Sequence, residues 1–600
     1  MAMKMRRLLS MALAVVLLLS CGLLAACGSD DNSGGGGTGT SFTYWISRGE
    51  DASFYETYQD NPTVQYSLKH AFDAYEGGDP GLEVEFWQPI TGSETDNFNT
   101  LLGTGEYADI LDMAVFSGSV IDLYNDGIAM DLTYYVENYM PNYLAYLEAH
   151  PEVAITATNL VDGERKYLQL YNYSTAPSNW GGYSYRRDWI IKYGVNPIDG
   201  SAFSGDYAET NADGTPNKES WADNVVFPSG ETSPVYISDW EWMLGIFATA
   251  IEDLGITDGY CMSLYYPGFT GTGDLACAFG GGNPVWYIDE SGQITFGGDG
   301  EDFRVYLQAM STWYQNGWID KAFPEHASDL FYRIDDAKVR QGKVGLWYGT
   351  ESLLLGRLDD GEGLTDGIMV YTARQPINDI YGGPDQQNTI PYTMFQNSLE
   401  STSVIITDKA KDKDLKALFT WLDYLYGVEG GMLRTFGFSK GQYEETQDTF
   451  YTREGLTEGA YYAIETDEGT KYDFVEKVND GGTLVNAVRA LRVVGLQMTD
   501  EQVFSNPYID ALMKEWVYYD ATGQIPMSFT GQLSPEDGKA YSKNYTNVVE
   551  FMNKNVPPFI QGAKDPFSDT DWDAFVSALG KYGPDSATQI LQALLEQLRG

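Results

Sequence analysis

Cysteine is scarce, with four residues in a chain of 600. Cys21 and Cys27 lie in or beside an apolar amino-terminal stretch, which leaves Cys261 and Cys277 for the rest. That is too few for a disulfide scaffold; the two either pair with each other or sit as buried thiols. Histidine is scarcer still: His70, His150 and His326. A zinc centre built on two or three imidazoles has few ligands to draw on. Positive charge is also short, with 37 Lys+Arg against 86 Asp+Glu and a net charge of −49. A surface of this sign repels phosphate backbones and anionic lipid heads, which argues against nucleic acid as a partner. Beyond residue 24 no apolar run reaches the about 20 residues that a membrane span needs. HExxH, Walker A and strand-led GxGxxG patterns are missing. Gly437-Phe-Ser-Lys-Gly441 has the letters of a nucleophile elbow, but a helical segment precedes it and no histidine follows.

What is present starts at the amino terminus. Lys4, Arg6 and Arg7 precede an apolar run over 8–24, followed by Leu24-Ala-Ala-Cys27. This reads as a secretory signal over residues 1–26. It resembles a bacterial lipoprotein signal, which implies cleavage before Cys27 and lipidation of that thiol. Residues 27–40, rich in glycine, read as a flexible tether from the lipid anchor. The length suits two to four domains at roughly 150 residues each. With 43% hydrophobic residues there is material for a sizeable core.

Strand-like alternation at 42–46, 82–87 and 108–113 is interleaved with helical spacing near 64–75. Further strands are expected at 166–173, 344–348 and 404–407. Helices are expected at 240–254, 303–316, 415–426 and 588–598. Such alternation indicates an α/β fold with a parallel or mixed sheet. The polar segment 199–233 reads as a loop insertion.

Several passages carry a more specific resemblance. The segment 99–111 looks like a "lasGdyPDii" motif, and 123–132 like "lie.GailpL". Tyr185-Arg-Arg-Asp-Trp189 with Tyr193-Gly-Val195 looks like "yRkDwldklGl", and 403–410 resembles a second lobe crossing. Pro558-Phe-Ile-Gln-Gly562 and Asp571-Trp-Asp-Ala-Phe575 resemble the end of a large lipoprotein branch. Together these resemble family 1 extracellular solute-binding proteins, the ABC-transporter receptors related to maltodextrin-binding protein. The insertion at 199–233 and the stretch 443–555 have no close match to that pattern. The resemblance implies two α/β lobes joined by a hinge, with ligand in the cleft between them. Lobe 1 is expected at 41–170 plus 366–402, and lobe 2 at 171–365 plus 403–600.

Aromatics make 14% of the chain, with 14 Trp, 44 Tyr and 27 Phe. Sugar C–H faces pack on aromatic rings while their hydroxyls need carboxylates, amides and guanidinium groups. Candidate ligand contacts in loops expected near the cleft are Trp45, Asp109, Tyr185, Arg187, Asp188, Tyr266 and Trp286, and the resemblance of 347–351 to the family's ligand-contacting strand-to-helix turn adds Trp347, Tyr348 and Glu351. Any one of these aromatics is more often core than ligand contact, and Asp109 and Arg187 are as well explained by pairing within a lobe. One calcium pattern appears: Glu209, Asn211, Asp213, Thr215 and Asn217 stand at loop positions 1, 3, 5, 7 and 9, with Gly214 at 6. The acid expected at position 12 is replaced by Ser220, so a solvated polar turn competes and is favoured.

The expectation is a non-enzymatic receptor of an ABC importer, taking a neutral oligosaccharide in its cleft. No cofactor is implied beyond that calcium. The expected partners are the permease's transmembrane subunits and the membrane, through Cys27. The chain is expected to act as a monomer at the outer face of a Gram-positive cell. Two alternatives stand: a receptor for another solute such as a peptide, and a surface glycoside hydrolase or lyase, which needs only two suitably spaced carboxylates.

Overall fold

The structure, a computed structural model, describes residues 39–599 except 48–53, 55–56, 76, 177–180, 204–224, 265–274, 282–285, 327–335, 351–368, 393–398, 467–468, 481, 490–492, 500–506, 520–521 and 527. β1 (Ser41–Trp45), β2 (Glu83–Trp87), β3 (Ile110–Asp112) and β4 (Leu170–Ser174) build a first sheet. The chain then supplies β5 (Gly181–Arg186), β6 (Tyr260–Met262), β7 (Val344–Thr350) and β8 (Val370–Ala373) to a second. β9 (Glu400–Ile406) and β10 (Leu496–Gln497) return to the first. The order is β10-β4-β9-β3-β1-β2 in the first sheet and β8-β5-β7-β6 in the second.

In the first sheet β1 runs parallel to β2 and β3, and β10 parallel to β4. β9 is antiparallel to both β3 and β4. The carboxyl ends of every strand but β9 therefore share one edge, and β9 starts from that edge. Period-two alternation assigns the two faces. Phe42, Tyr44, Ile110, Val404 and Ile406 face one core; Trp45, Leu111 and Ile405 face another. The largest core surrounds the second sheet.

Seven helices matter below: α1 (Pro62–His70), α2 (Val120–Asn125), α3 (Ile237–Asp253), α4 (Glu301–Gln315), α5 (Leu415–Tyr424), α6 (Val428–Phe436) and α7 (Pro535–Asn555). In α3, Ile237, Trp240, Met243, Leu244 and Phe247 recur at helical spacing and are buried, and Gly255 follows in the left-handed region. α1 opens with Asn61 accepting from the Thr63 amide at 2.9 Å and with Pro62 at its first position. In β5, a Cβ on Gly182 would meet the Trp516 ring at 2.3 Å. Glycine there lets the indole lie on the strand and donate from Nε1 to the Tyr183 carbonyl at 2.8 Å.

Every strand and helix expected above has a counterpart within a few residues. The division of the chain differs in two places. β8 pairs with β5 in the second sheet, although 366–402 was expected with the first lobe. Residues 404–498 pack on the first sheet, although 403–600 was expected with the second. The reason is hydrophobic: Leu415, Leu418 and Leu422 of α5 and Leu433 and Phe436 of α6 form stripes that bury there. Residues 529–598 do join the second core. Cys261 and Cys277 are buried and unbonded to each other, and burial pushes the Cys261 thiol up to about 12. Among the described residues no helix is long and apolar enough to cross a membrane.

On α5, Asp423 is 5% exposed and accepts from the Tyr143 amide and the Asn142 side chain, each at 3.0 Å. Burial dominates over these bonds and pushes its carboxyl up to about 7. The folded state thus holds this proton more tightly than the unfolded chain. Below about pH 3 both states are largely protonated and nothing is lost; from there stability falls until about pH 7, by a few kcal/mol at most. Urea unfolding across this range is expected to show that decline in the wild type and a flatter profile in Asp423→Asn. Parallel declines in the two proteins would contradict it.

Candidate ligand groove

The carboxyl edge of the first sheet is where the chain passes to the second: β4 leads to β5, β8 to β9, and β10 to the carboxy-terminal segment. The passing segments lie side by side. The Ser174 amide donates to the Leu399 carbonyl at 2.8 Å and the Thr175 amide to the Gln497 carbonyl at 3.0 Å. The Thr499 amide donates to Thr175 Oγ1 at 3.1 Å, and the Ala176 amide donates to Thr499 Oγ1 at 2.9 Å.

A second link is the 3-10 turn Phe529–Gln532, rooted in the second core by Phe529 and Leu533. It reaches the first body through Gln532, which donates to the Thr156 carbonyl at 2.9 Å and accepts from Asn159 Nδ2 at 2.6 Å. The Ser528 amide donates to Glu400 Oε1 at 2.7 Å, at the start of β9. Burial raises the Glu400 carboxyl, while hydrogen bonds from Ser528 and Thr156 pull it back.

Beside this turn a groove of about 390 Å³ opens between the two bodies, within the usual range for small-ligand sites. Ser117, Gly118, Ser119 and Asp122 line it from the first body; Thr530, Gly531, Ser534, Lys539, Tyr541 and Ser542 line it from the second. Helix starts explain much of this set. Ser119 caps α2 by accepting from the Ile121 amide at 3.2 Å, and Ser534 caps α7 by accepting from the Asp537 amide at 3.1 Å. Both walls therefore present serine hydroxyls for a structural reason; Ser534 also donates its proton to Asp537 Oδ2 at 2.7 Å, which leaves it one lone pair to offer. Tyr541 supplies an aromatic wall; its ring stands 5.8 Å from that of Trp286, and burial pushes its hydroxyl pKa up. The charged lining is one carboxylate and one ammonium. A cavity of about 490 Å³ opens elsewhere, lined by Phe54, Glu454, Glu476, Lys477, Asp480 and Leu484, all of the first body.

The residues expected at the ligand are distributed differently. Trp45 is 1% exposed, donates to Asn97 Oδ1 at 2.8 Å and sits edge-on to Phe98. Asp109 Oδ2 accepts from the Thr43 amide at 2.7 Å, from Thr43 Oγ1 at 2.8 Å and from Lys413 Nζ at 2.6 Å, so it ties β1 to 413. Arg187 donates to the Tyr185 hydroxyl and the Thr232 carbonyl, each at 2.9 Å, and lies over Tyr371. Asp188 accepts from Nε and Nη2 of Arg186 and from the Met369 amide. Trp347 is buried in β7 against the second core. Tyr348 is half-buried, edge-on to Tyr183. Trp286 donates to Thr588 Oγ1 at 2.9 Å and reaches the groove only through Tyr541. The structure thus gives Trp45, Asp109, Tyr185, Arg187, Asp188 and Trp347 internal partners within one body each. Tyr266, Glu351, Cys27 and the loop of Glu209, Asn211, Asp213, Thr215 and Asn217 lie outside the described residues. Among the described residues no group of three or more His, Cys, Asp or Glu could hold a metal ion.

Sequence reasoning missed the groove residues. The signals were local: a serine before Val120, and Ser534 followed by Pro535 and acids, both helix-start patterns. Nothing in either signal says that the two helix starts face each other.

No family model matches the sequence, and no curated protein matches it either. Solved structures do match. An HMO-binding, ABC-transporter-associated solute-binding protein from Bifidobacterium longum infantis aligns over 94% of this chain and 99% of its own, with TM-score 0.62 and 14% identity. An extracellular solute-binding protein from Bifidobacterium longum subsp. infantis aligns over 93% and 98%, with TM-score 0.61 and 14% identity. An EF-hand mutant of the S. pneumoniae ABC-transporter substrate-binding protein FusA, in complex with fructo-nystose, aligns over 93% and 99%, with TM-score 0.56 and 13% identity. At such identities the likeness is one of fold, and it spans nearly the whole chain. The fold of this protein is that of extracellular solute-binding proteins.

Proposed function

We propose that the protein is the extracellular substrate-binding component of an ABC importer, capturing an oligosaccharide between its two bodies and presenting it to the permease. The observation that carries this is the groove itself: it is shared by two bodies, lined by hydroxyls, and backed by an aromatic ring. Structural neighbours named for HMO and fructo-nystose binding support it. Ligand contacts made from both walls are gained only when the walls approach, so they favour the closed arrangement. The groove's balance of one acid and one base suits a neutral sugar. Asp122 is the one carboxylate among its described lining residues, whereas glycoside hydrolysis uses two; this supports capture without cleavage. Lipidation at Cys27 and the 27–40 tether would hold the monomeric receptor at the outer face of a Gram-positive membrane. The 209–217 loop would, if it binds calcium, do so as a structural site.

One observation favours a second reading. Asp122 and Lys539 are the opposite charges that peptide termini require.

Thermal melts against neutral oligosaccharides, acidic oligosaccharides and short peptides separate these. A true ligand at 100 times its Kd adds about 2.7 kcal/mol of stability. A rise with one neutral glycan class, with no new reducing ends after a day, is expected. A rise with peptides alone would favour the second reading, and cleavage products would overturn both. Titration of the responding glycan is expected to show Tyr541→Ala weakened about tenfold, the loss of ~1.4 kcal/mol, with Tyr541→Phe near wild type. Asp109→Asn is expected to lower the melting temperature and leave affinity within about twofold, because its partners are internal; a large affinity loss there would return Asp109 to the ligand.

A further inference from the structure

Arg434 on α6 is 4% exposed, in a chain where basic residues are few. Its guanidinium divides between two of the passing segments. Nε donates to the Val493 carbonyl at 3.0 Å and Nη1 to Gln497 Oε1 at 2.9 Å, both on the β10 segment. Nη2 donates to Asn172 Oδ1 on β4 at 2.9 Å. Asn172 carries the link onward. Its Oδ1 also accepts from the Gly495 amide at 3.1 Å, and its Nδ2 donates to the Thr402 carbonyl at 3.1 Å and Thr402 Oγ1 at 2.8 Å, on β9. One guanidinium and one carboxamide therefore tie together β4, β9 and β10, the three strands through which the chain passes between the bodies. Gly495 makes the approach possible: a Cβ there would stand 2.8 Å from the Leu425 carbonyl and 3.2 Å from Arg434 Cδ.

Cost argues that this device does more than add stability. Burying a guanidinium loses its hydration, and hydrophobic side chains of similar volume are often as stabilising or more so. Arg489 is close enough to oppose the charge further. What an arginine offers that a hydrophobe cannot is a planar fork with fixed directions. Val493, Gln497 and Asn172 are not among the residues that line the groove.

We propose that Arg434 is a positioning residue for ligand capture: its fork locks the three crossing strands into one unit and so sets how the two bodies stand and close. This rests on the capture reading above for its purpose, but not for its test. Full-length wild type, Arg434→Met, Arg434→Lys and Asn172→Ala are compared by small-angle scattering and hydrogen exchange without ligand, alongside thermal melts. Exchange at amides of 172–176 and 493–499 is expected to quicken about tenfold or more in Arg434→Met, with β1 amides unchanged and a changed ligand-free radius of gyration. Arg434→Lys, which keeps charge but not the fork, is expected to behave like Arg434→Met. Asn172→Ala is expected to move the same amides by less, and it decides the matter should Arg434→Met fail to fold. Unchanged exchange at the crossings would overturn the proposal. So would equal quickening of β1 and the crossings, which marks a merely structural role, or full rescue by Arg434→Lys. In the glycan titrations, Arg434→Met is expected to bind about tenfold more weakly. Should no glycan bind the wild type, the capture reading falls while scattering and exchange still judge the hinge.

Discussion

The structure depends on one constraint: the chain passes between two sheets at a single edge, and the passing strands are hydrogen-bonded to one another. Because β1, β2, β3, β4 and β10 share a direction, their carboxyl ends face the same way as the crossings. The ligand-binding crevice of open α/β sheets lies at that end. Those strands and the Phe529–Gln532 turn link the two bodies. Groove, crossings and bridging turn therefore lie together, with Glu400, Gln532, Thr175, Thr499 and Arg434 bonded among the linking segments and the groove beside them.

Much of the fold was legible because the hydrophobic period is strong. The alternation in 42–46 and 82–87 named two strands, and the 3.6-residue spacing of 240–254 named a long helix. Lobe boundaries were less legible. The crossing at β9 could be read as a switch to the second lobe, because a strand's sequence records its two faces and not its neighbours. That 415–498 stays on the first sheet follows from which apolar stripe meets which face, a tertiary outcome. β10 has two residues, too short for any period to show.

The site was less legible than the fold, for a physical reason. An aromatic or charged residue at a strand end is equally suited to a core and to a cleft. Trp45, Trp347 and Arg187 all found internal partners. Hydroxyl groups that cap helices carry no signal of ligand contact, since Ser119 and Ser534 are fully explained by the helices they start. Their place in one groove arises only from the meeting of 117–122 with 530–542, far apart in sequence.

The central claim is that a sugar is held between the bodies and touches both. A crystal structure of the protein grown with its best-binding glycan tests this most directly. The account expects sugar density in contact with Ser119 or Asp122 on one wall and Tyr541 or Ser534 on the other, with the walls closer than in the ligand-free protein. Density confined to one body, for instance in the cavity beside Phe54 and Glu476, would contradict it.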